Sequence, residues 1–250
     1  MARPLRIQYP GAFYHVTSRG NEQKEIFKSR RDREKFCEYL GSASSRYGAI
    51  IHSYCLMSNH YHLLLESPEG NLSQIMRHIN GAHTTYFNVK RKRAGSLFQG
   101  RHKAILVEAD EYALELSRYI HLNPVRAGMV ERPEQHEWSS YNAFASRRQA
   151  NDWLCCDLIW EMIGGTGATA CKNYRVFVER NLGRTYESPL TNVFASSLLG
   201  SPDFVSEIST RFLNEQTDQR NLPGRLKNDA GLREVVKAIV NDLGSLNVEI

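Results

Sequence analysis

The feature that most constrains the fold is the segment at residues 59–66, which has the length and apolar character of a β-strand. Side chains two residues apart in a strand project from the same face, about 7 Å apart along the chain. His60 and His62 therefore share one face, whereas Tyr61 and Leu63 point to the other and can enter a hydrophobic core. The segment predicts a strand with one face for packing and one face for chemistry.

A second segment, at residues 119–123, has helical character and carries two polar side chains four residues apart. This spacing places the Cβ atoms of Tyr119 and Asn123 about 5–6 Å apart on one helical face. Two imidazoles, a carboxamide and a phenol are together the groups that a metal-assisted tyrosine nucleophile requires.

Each of these residues also has a simpler interpretation. A His-x-His pair is common on strands that bind no metal. Tyrosines at helical spacing often pack with the hydroxyl at the surface. Asn123 precedes Pro124, and a residue before proline is biased out of the α region, so Asn123 could end the helix.

Hydrophobic periodicity orders the first part of the chain as strand, helix, strand, strand, helix and strand. This order is the split βαβ, or ferredoxin-like, arrangement. We therefore expect an α+β fold in which helices flank a central antiparallel sheet. The predicted strands are residues 12–18, 50–57, 60–66 and 104–107, the helices are 31–46 and 72–89, and a helix carrying Tyr119 begins at Asp110.

Beyond residue 153 the periodicity weakens, and we expect two parts, a domain at 1–154 and a mainly helical accessory region at 155–250. A glycine cluster at 164–168 lacks the lysine of a phosphate-binding loop and is interpreted as a plain loop. The region could bind DNA, cover the site or contact a partner. Its predicted helices are 157–163, 172–180, 203–214 and 232–243, the last two joined by a polar stretch at 216–228.

Charge divides the chain unevenly. Residues 1–150 hold 22 Lys and Arg against 14 Asp and Glu, a net of +8, whereas residues 151–250 hold 10 against 13, a net of −3. Basic runs at 28–33, 90–93 and 101–103 favour a polyanionic partner over a merely solvated surface. Dense basic clusters act mainly as charges on the nucleic-acid backbone. The residues expected to do so are Lys90, Arg91, Lys92, Arg93, Arg101 and Lys103.

The remaining composition limits the class of protein. No apolar run approaches the ~20 residues that cross a bilayer, and the N-terminus lacks the apolar region of a secretion signal. Five scattered cysteines without Cys-x-x-Cys spacing predict reduced thiols, with neither a zinc site nor a disulfide framework. We expect a cytoplasmic protein without a membrane partner.

Five ordered segments between residues 3 and 154 resemble the tyrosine transposases associated with repetitive extragenic palindromes (REP). These are relatives of the single-tyrosine insertion-sequence transposases, in the HUH (His, hydrophobic, His) endonuclease group. Ser58 departs from the family, in which proline usually precedes Asn-His, and should alter the turn entering the strand. The segments are 9–21 (YPGAFYHVTSRGN), 54–66 (YCLMSNHYHLLLE), 97–103 (LFQGRHK), 118–128 (RYIHLNPVRAG) and 138–141 (WSSY).

The resemblance implies an HUH fold and a set of roles. His60 and His62 would be metal ligands with Asn123 as the third, the ion being Mg²⁺ or Mn²⁺, and Tyr119 would be the nucleophile. Such an enzyme cleaves and rejoins single-stranded, hairpin-forming DNA through a 5′-phosphotyrosine intermediate, as a monomer or a homodimer. Basic residues in the same motifs are expected to bind the DNA, namely Arg19, Arg101, Lys103 and Arg126.

Three alternatives stay open from the sequence. The chain could be a DNA-binding regulator without catalysis, or a hydrolytic metal nuclease in which Tyr119 is structural and water attacks. It could also be another HUH enzyme, such as a relaxase or a replication initiator. A covalent protein–DNA adduct separates a tyrosine transposase from the first two.

Overall fold

A computed structural model describes residues 7–146, 151–184 and 187–218. Its strands are β1 (Ala12–Arg19), β2 (Ile50–Leu56), β3 (His60–Ser67), β4 (Lys103–Val107) and β5 (Leu198–Leu199). Its α-helices are α1 (Arg30–Tyr47), α2 (Leu72–Lys90), α3 (Ala109–Arg126), α4 (Tyr141–Ser146), α5 (Asp157–Ile163), α6 (Gly167–Glu179) and α7 (Pro202–Asp218). In the described ranges, no helix is both long enough and apolar enough to span a bilayer.

The strands form one sheet in the order β2-β3-β1-β4-β5. The first four strands pair antiparallel, as the split βαβ order requires, so the predicted α+β, ferredoxin-like fold is confirmed. In the central pair, Thr17 lies opposite His62 and Arg19 lies opposite His60. This register brings two distant segments of the chain together on one face.

The C-terminal region differs from the expectation in three places. β5 adds a short parallel strand beside β4, so the region is not only helical. α6 begins at Gly167, so the loop predicted for 164–168 is wrong in its last two residues. Ala170 is the first buried residue of this helix, and the first turn that leads to it takes in residues 167 and 168. α7 runs to Asp218 and takes in the start of the predicted polar stretch. The helix predicted at 232–243 lies outside the described residues.

The sheet packs on both faces, and the alternation in β3 is as predicted. Tyr61, Leu63 and Leu65 are buried in a core with residues of α1 and α2. Leu64 enters the opposite core, which α3 to α6 complete on the other face. Helices before and after residue 154 therefore share one core, and the division at that residue stays a prediction.

A buried chain of hydrogen bonds fixes α3 against its neighbours. Ser117 donates to the Leu114 carbonyl and accepts from the Tyr174 hydroxyl at 2.9 Å. That hydroxyl lies 2.7 Å from Nδ1 of His121, and Nε2 of His121 lies 2.7 Å from the Ser140 hydroxyl. We infer that His121 donates from Nδ1 and accepts at Nε2. The helix that carries Tyr119 is thus tied to α6 and to the segment before α4.

Buried neutral histidines predict that stability falls in mild acid. Burial lowers the pKa of His121 to about 3 and that of His83 to about 4, from an ordinary value of 6.5. Below pH 6.5 the unfolded chain binds protons that the folded chain does not, so the free energy of unfolding should fall by up to about 1.4 kcal/mol per pH unit for each. Urea unfolding between pH 6.5 and 5.5 measures this above the main carboxylate range. A constant free energy there would contradict it.

Candidate active site

The candidate site lies on the sheet face beneath α3, where β1 and β3 run side by side. His60 and His62 of β3 share this face with His15 and Arg19 of β1. Nε2 of His15 lies 3.0 Å from Nδ1 of His62, and the two rings stack with their centroids 5.3 Å apart. The sequence-predicted histidine pair is therefore a cluster of three imidazoles.

His62 is buried, and one of its two ring nitrogens lacks the hydrogen bond that a buried polar atom usually has. Nε2 has no hydrogen-bond partner among the described residues, although it is shielded from solvent. Burial holds the pKa of His62 well below 6.5, and the nearby His15, His60 and Arg19 reinforce this. The ring is therefore neutral at pH 7, which is the form that binds a metal ion.

His60 is half-buried and is oriented by the residue before it. Its Nδ1 lies 2.6 Å from Oδ1 of Asn59, whose Nδ2 donates to the Gln23 carbonyl at 2.9 Å. Because the amide group already donates through Nδ2, Nδ1 of His60 is the donor, and Nε2 keeps its lone pair. Burial, together with the charge of Arg19, lowers the pKa of His60 to about 4. Asn59 is a site residue that the sequence reasoning missed.

α3 places Tyr119 against this cluster. Its half-buried ring meets the rings of His62 and His15 edge-on, with centroid separations of 5.8 and 6.1 Å. The Arg126 guanidinium lies 5.1 Å from the centre of the Tyr119 ring. A phenol, a cation and two neutral imidazoles thus meet at the end of one helix.

Asn123 lies one helical turn beyond Tyr119 on the same helix. Its Nδ2 donates to the Tyr119 carbonyl at 2.8 Å, which leaves the amide oxygen as an acceptor. α3 continues through Pro124 to Arg126, so the alternative that Asn123 ends the helix is wrong. A proline in the last turn removes only one backbone donor, and the helix closes with the Ala127 amide bonded to the Asn123 carbonyl.

The donor set fits a divalent cation through nitrogen and amide oxygen. The observation that carries this fit is Nε2 of His62, which is buried without a hydrogen bond to any described residue, and the His60 ring lies beside the His62 ring with the centroids 5.1 Å apart. The described part of the chain contains no group of three His, Cys, Asp and Glu residues that could hold a metal. The carboxylate of Glu66, on the same strand, instead contacts Nε2 of His52 at 3.1 Å. Asn123 as the third ligand stays a prediction, and its amide oxygen is available as an acceptor.

The predicted DNA-binding residues fall into two places. Arg19 is exposed at the end of β1, and its carbonyl accepts from the Gln99 amide, so the 97–103 motif runs along the edge of the site. Lys103 is exposed opposite Thr17, two strands from His60. With Arg126 above Tyr119, these cations border the site, and Arg101 is exposed in the segment that joins the basic run to Lys103.

In the basic run, the first two residues have structural partners. Lys90 lies 2.9 Å from Oδ1 of the fully buried Asp32, and Arg91 binds the other carboxylate oxygen. Burial raises the pKa of Asp32, but hydrogen bonds from Lys90, from backbone amides and from Arg91 outweigh it and hold the pKa well below its usual range. Lys92 and Arg93 are exposed. That all four contact DNA stays a prediction, and the last two are better placed for it.

A matched pair of double variants tests this division of the basic run. Lys92→Gln with Arg93→Gln should weaken binding to all hairpins alike and flatten its salt dependence, by a slope of up to about 0.7 per lost phosphate contact on single strands. Lys90→Gln with Arg91→Gln removes the same charge but leaves Asp32 without its cations, so it should lower the urea midpoint. Titrations at several salt concentrations, with urea unfolding, measure both. An unchanged salt dependence of binding in the first variant would mean that Lys92 and Arg93 do not contact the DNA.

Comparison with known proteins gives one family match and one solved structure of the same fold. Residues 9–123 match the family described as "Transposase IS200 like". A REP-associated tyrosine transposase bound to a REP hairpin aligns over 67% of this chain and 96% of that chain, with 16% identity and a TM-score of 0.51, which shows a common fold. No curated protein matches the chain.

Two further solved structures align too weakly to bear on function. One is a candidate transposase from Deinococcus radiodurans R1, with 15% identity over 47% of this chain and 95% of that chain and a TM-score of 0.34. The other is the tRNA(His) guanylyltransferase of Saccharomyces cerevisiae, with 10% identity over 71% and 81% of the two chains and a TM-score of 0.37.

Proposed function

Given that residues 9–123 belong to the IS200-like transposase family, we propose that this chain cleaves and rejoins single-stranded, hairpin-forming DNA through Tyr119. The observation that carries the proposal is the contact of the Tyr119 ring with His62, whose buried Nε2 has no hydrogen-bond partner in the described part of the chain. The proposed nucleophile and a proposed cation ligand are thereby close enough to contact the same phosphate group.

In the proposed reaction the Tyr119 oxygen attacks phosphorus and the bond from phosphorus to the 3′ oxygen breaks. The phenol proton is released to water, and the departing 3′ oxygen takes up a proton to become a hydroxyl. The products are a 5′-phosphotyrosine and a free 3′ end. One phosphodiester replaces another of similar energy, so the step reverses when a 3′ hydroxyl returns, which suits strand transfer.

The side chains around Tyr119 have different proposed roles in this reaction. Asn59 orients His60, and the Arg126 guanidinium, 5.1 Å from the centre of the Tyr119 ring, would stabilise the negative charge that develops on the attacked phosphate. Mg²⁺ or Mn²⁺ bound by His60, His62 and the Asn123 amide oxygen would polarise the phosphate and neutralise its developing charge.

We propose hairpin DNA as the substrate on two grounds. The aligned transposase of the same fold is bound to a REP hairpin. On this chain, Arg19, Lys103 and Arg126 border the site with positive charge, which favours a nucleic-acid backbone across it. The double-stranded stem and the single strand beside it would then lie along the edge formed by β1 and the 97–103 motif.

The test uses hairpin oligonucleotides from the flanks of the chain's own gene, labelled at either end and incubated with Mn²⁺. On a denaturing protein gel the 3′ label should move with the protein, and the 5′ label should appear on a shorter free strand. Two free fragments would indicate a hydrolytic nuclease. Binding without cleavage would indicate a regulator. Adduct formation only on an origin-like sequence without a hairpin would favour a relaxase or replication initiator.

A further inference from the structure

His15 lies outside the predicted ligand set, yet it makes a direct polar contact with a member of that set. Its Nε2 is 3.0 Å from Nδ1 of His62, and both side chains are buried. Its other nitrogen, Nδ1, has no hydrogen-bond partner among the described residues. A buried imidazole whose hydrogen bond is made to another imidazole needs an explanation beyond packing.

We propose that His15 is a positioning residue that accepts a hydrogen bond from Nδ1–H of His62 and thereby fixes the tautomer of His62 with its lone pair on Nε2. This inference rests on the proposed function, since the lone pair is the one that would hold the cation beside Tyr119. Ligating histidines commonly have the second ring nitrogen held in this way by an acceptor from the protein.

The two possible directions of this hydrogen bond are not equivalent at the site. If His15 donated, His62 would carry its proton on Nε2, which has no acceptor among the described residues, in a ring on which the positive charges of Arg19 and Arg126 act. If His62 donates, Nε2 carries a lone pair in place of that proton, which the nearby positive charge favours, and the unpaired proton moves to Nδ1 of His15.

The second predicted ligand shows the same arrangement. Nδ1 of His60 is held by Oδ1 of Asn59 at 2.6 Å, just as Nδ1 of His62 is held by Nε2 of His15. In each case an acceptor occupies Nδ1 and leaves Nε2 as the only nitrogen that can bind a cation. Asn59 comes from the turn before β3, and His15 comes from the neighbouring strand.

The experiment measures the tautomer directly in the metal-free protein. Long-range ¹H–¹⁵N spectra of ¹⁵N-histidine protein, with His62 assigned from the His62→Gln spectrum, should show the His62 proton on Nδ1. His15→Leu, which keeps the volume but removes the acceptor, should give a mixture of tautomers. His15→Gln retains an acceptor oxygen and should restore the wild-type pattern. Wild-type His62 protonated on Nε2 would overturn the proposal even if His15→Leu failed to fold.

Binding of Mn²⁺ alone gives the second readout. His15→Leu should weaken it 10- to 100-fold, the range for groups that support metal ligands, whereas His15→Gln should recover most of it. His83→Leu is a matched control, because His83 is buried on the other sheet face and bonds the Ile26 carbonyl. It should lower stability and leave Mn²⁺ affinity unchanged. Equal affinities in His15→Leu and wild type would reduce His15 to a packing residue.

These measurements distinguish a failure of the proposed function from a failure of the role proposed for His15. If the wild type binds Mn²⁺ with the expected His62 tautomer but forms no adduct with any hairpin, His15 keeps its role and the transposase chemistry is wrong. If adducts form while His15→Leu changes neither the tautomer nor Mn²⁺ affinity, the transposase chemistry stands and His15 is not a positioning residue.

Discussion

Tyr119→Phe should abolish the covalent protein–DNA adduct and leave folding and hairpin binding close to those of the wild type. The substitution removes a single oxygen, and the ring can keep its edge-on contacts with His62 and His15 and its position below Arg126. We expect adduct formation to fall about a thousandfold or more, as when other enzymes lose their nucleophile. Denaturing gels with 3′-labelled hairpins measure the adduct, and titrations of the uncleaved hairpin measure binding.

Tyr112→Phe is the matched control for this change. Tyr112 lies two turns earlier on α3 and packs at the edge of the core beneath that helix. It carries the same phenol on the same element but is outside the histidine cluster, so its variant should form adducts at the wild-type rate. If Tyr119→Phe still becomes linked to the 5′ phosphate, another residue is the nucleophile and the assignment is wrong.

The contacts of helix α3 explain how the proposed nucleophile is held in place. Ser117 and His121 are four residues apart and face the buried hydrogen-bond chain to α6. Tyr119 contacts the sheet histidines from the other side of the helix, and Asn123, four residues further on, follows on the same helical face. One side of α3 is therefore fixed by polar contacts in the core, and the opposite side carries the predicted site residues.

Local patterns in the sequence were enough to predict most of this arrangement. The alternation in residues 60–66 put His60 and His62 on one face and the apolar side chains on the other, and β3 has that pattern. The helical spacing of Tyr119 and Asn123 likewise depends only on neighbours within one turn. Periodicity is a local property, so it predicts which residues share a face of their own element.

What the sequence could not supply depends on contacts between distant segments. His15 joins the cluster only because β1 pairs with β3 in a register that puts Thr17 opposite His62. A shift of one residue would move His15 to the other face of the sheet. Lys90 resembled part of a uniform basic run because its partner, Asp32, lies 58 residues away. β5 has only two residues, too few to show any period.

His60→Ala should abolish cleavage while the chain stays folded and still binds hairpin DNA. His60 is half-buried, so its removal disturbs the core little, whereas it removes one of the two Nε2 lone pairs that the proposed cation needs. We expect Mn²⁺ affinity to fall by about tenfold or more and adduct formation to become undetectable. Asn123→Ala should reduce both less, since water can replace one amide oxygen. Calorimetry with Mn²⁺ and adduct gels give the two measurements.

His78→Ala is the control for losing a half-buried histidine. His78 lies on α2, on the other side of the sheet, and contacts the Ser42 hydroxyl at 3.1 Å, so its variant should cleave normally. Hairpin binding should change little in either variant, because it depends mainly on cations such as Arg19 and Lys103. EDTA should mimic His60→Ala in the wild type. Cleavage that proceeds unchanged in EDTA, or in His60→Ala, would mean that Tyr119 attacks without a bound cation and that the histidine pair serves the fold alone.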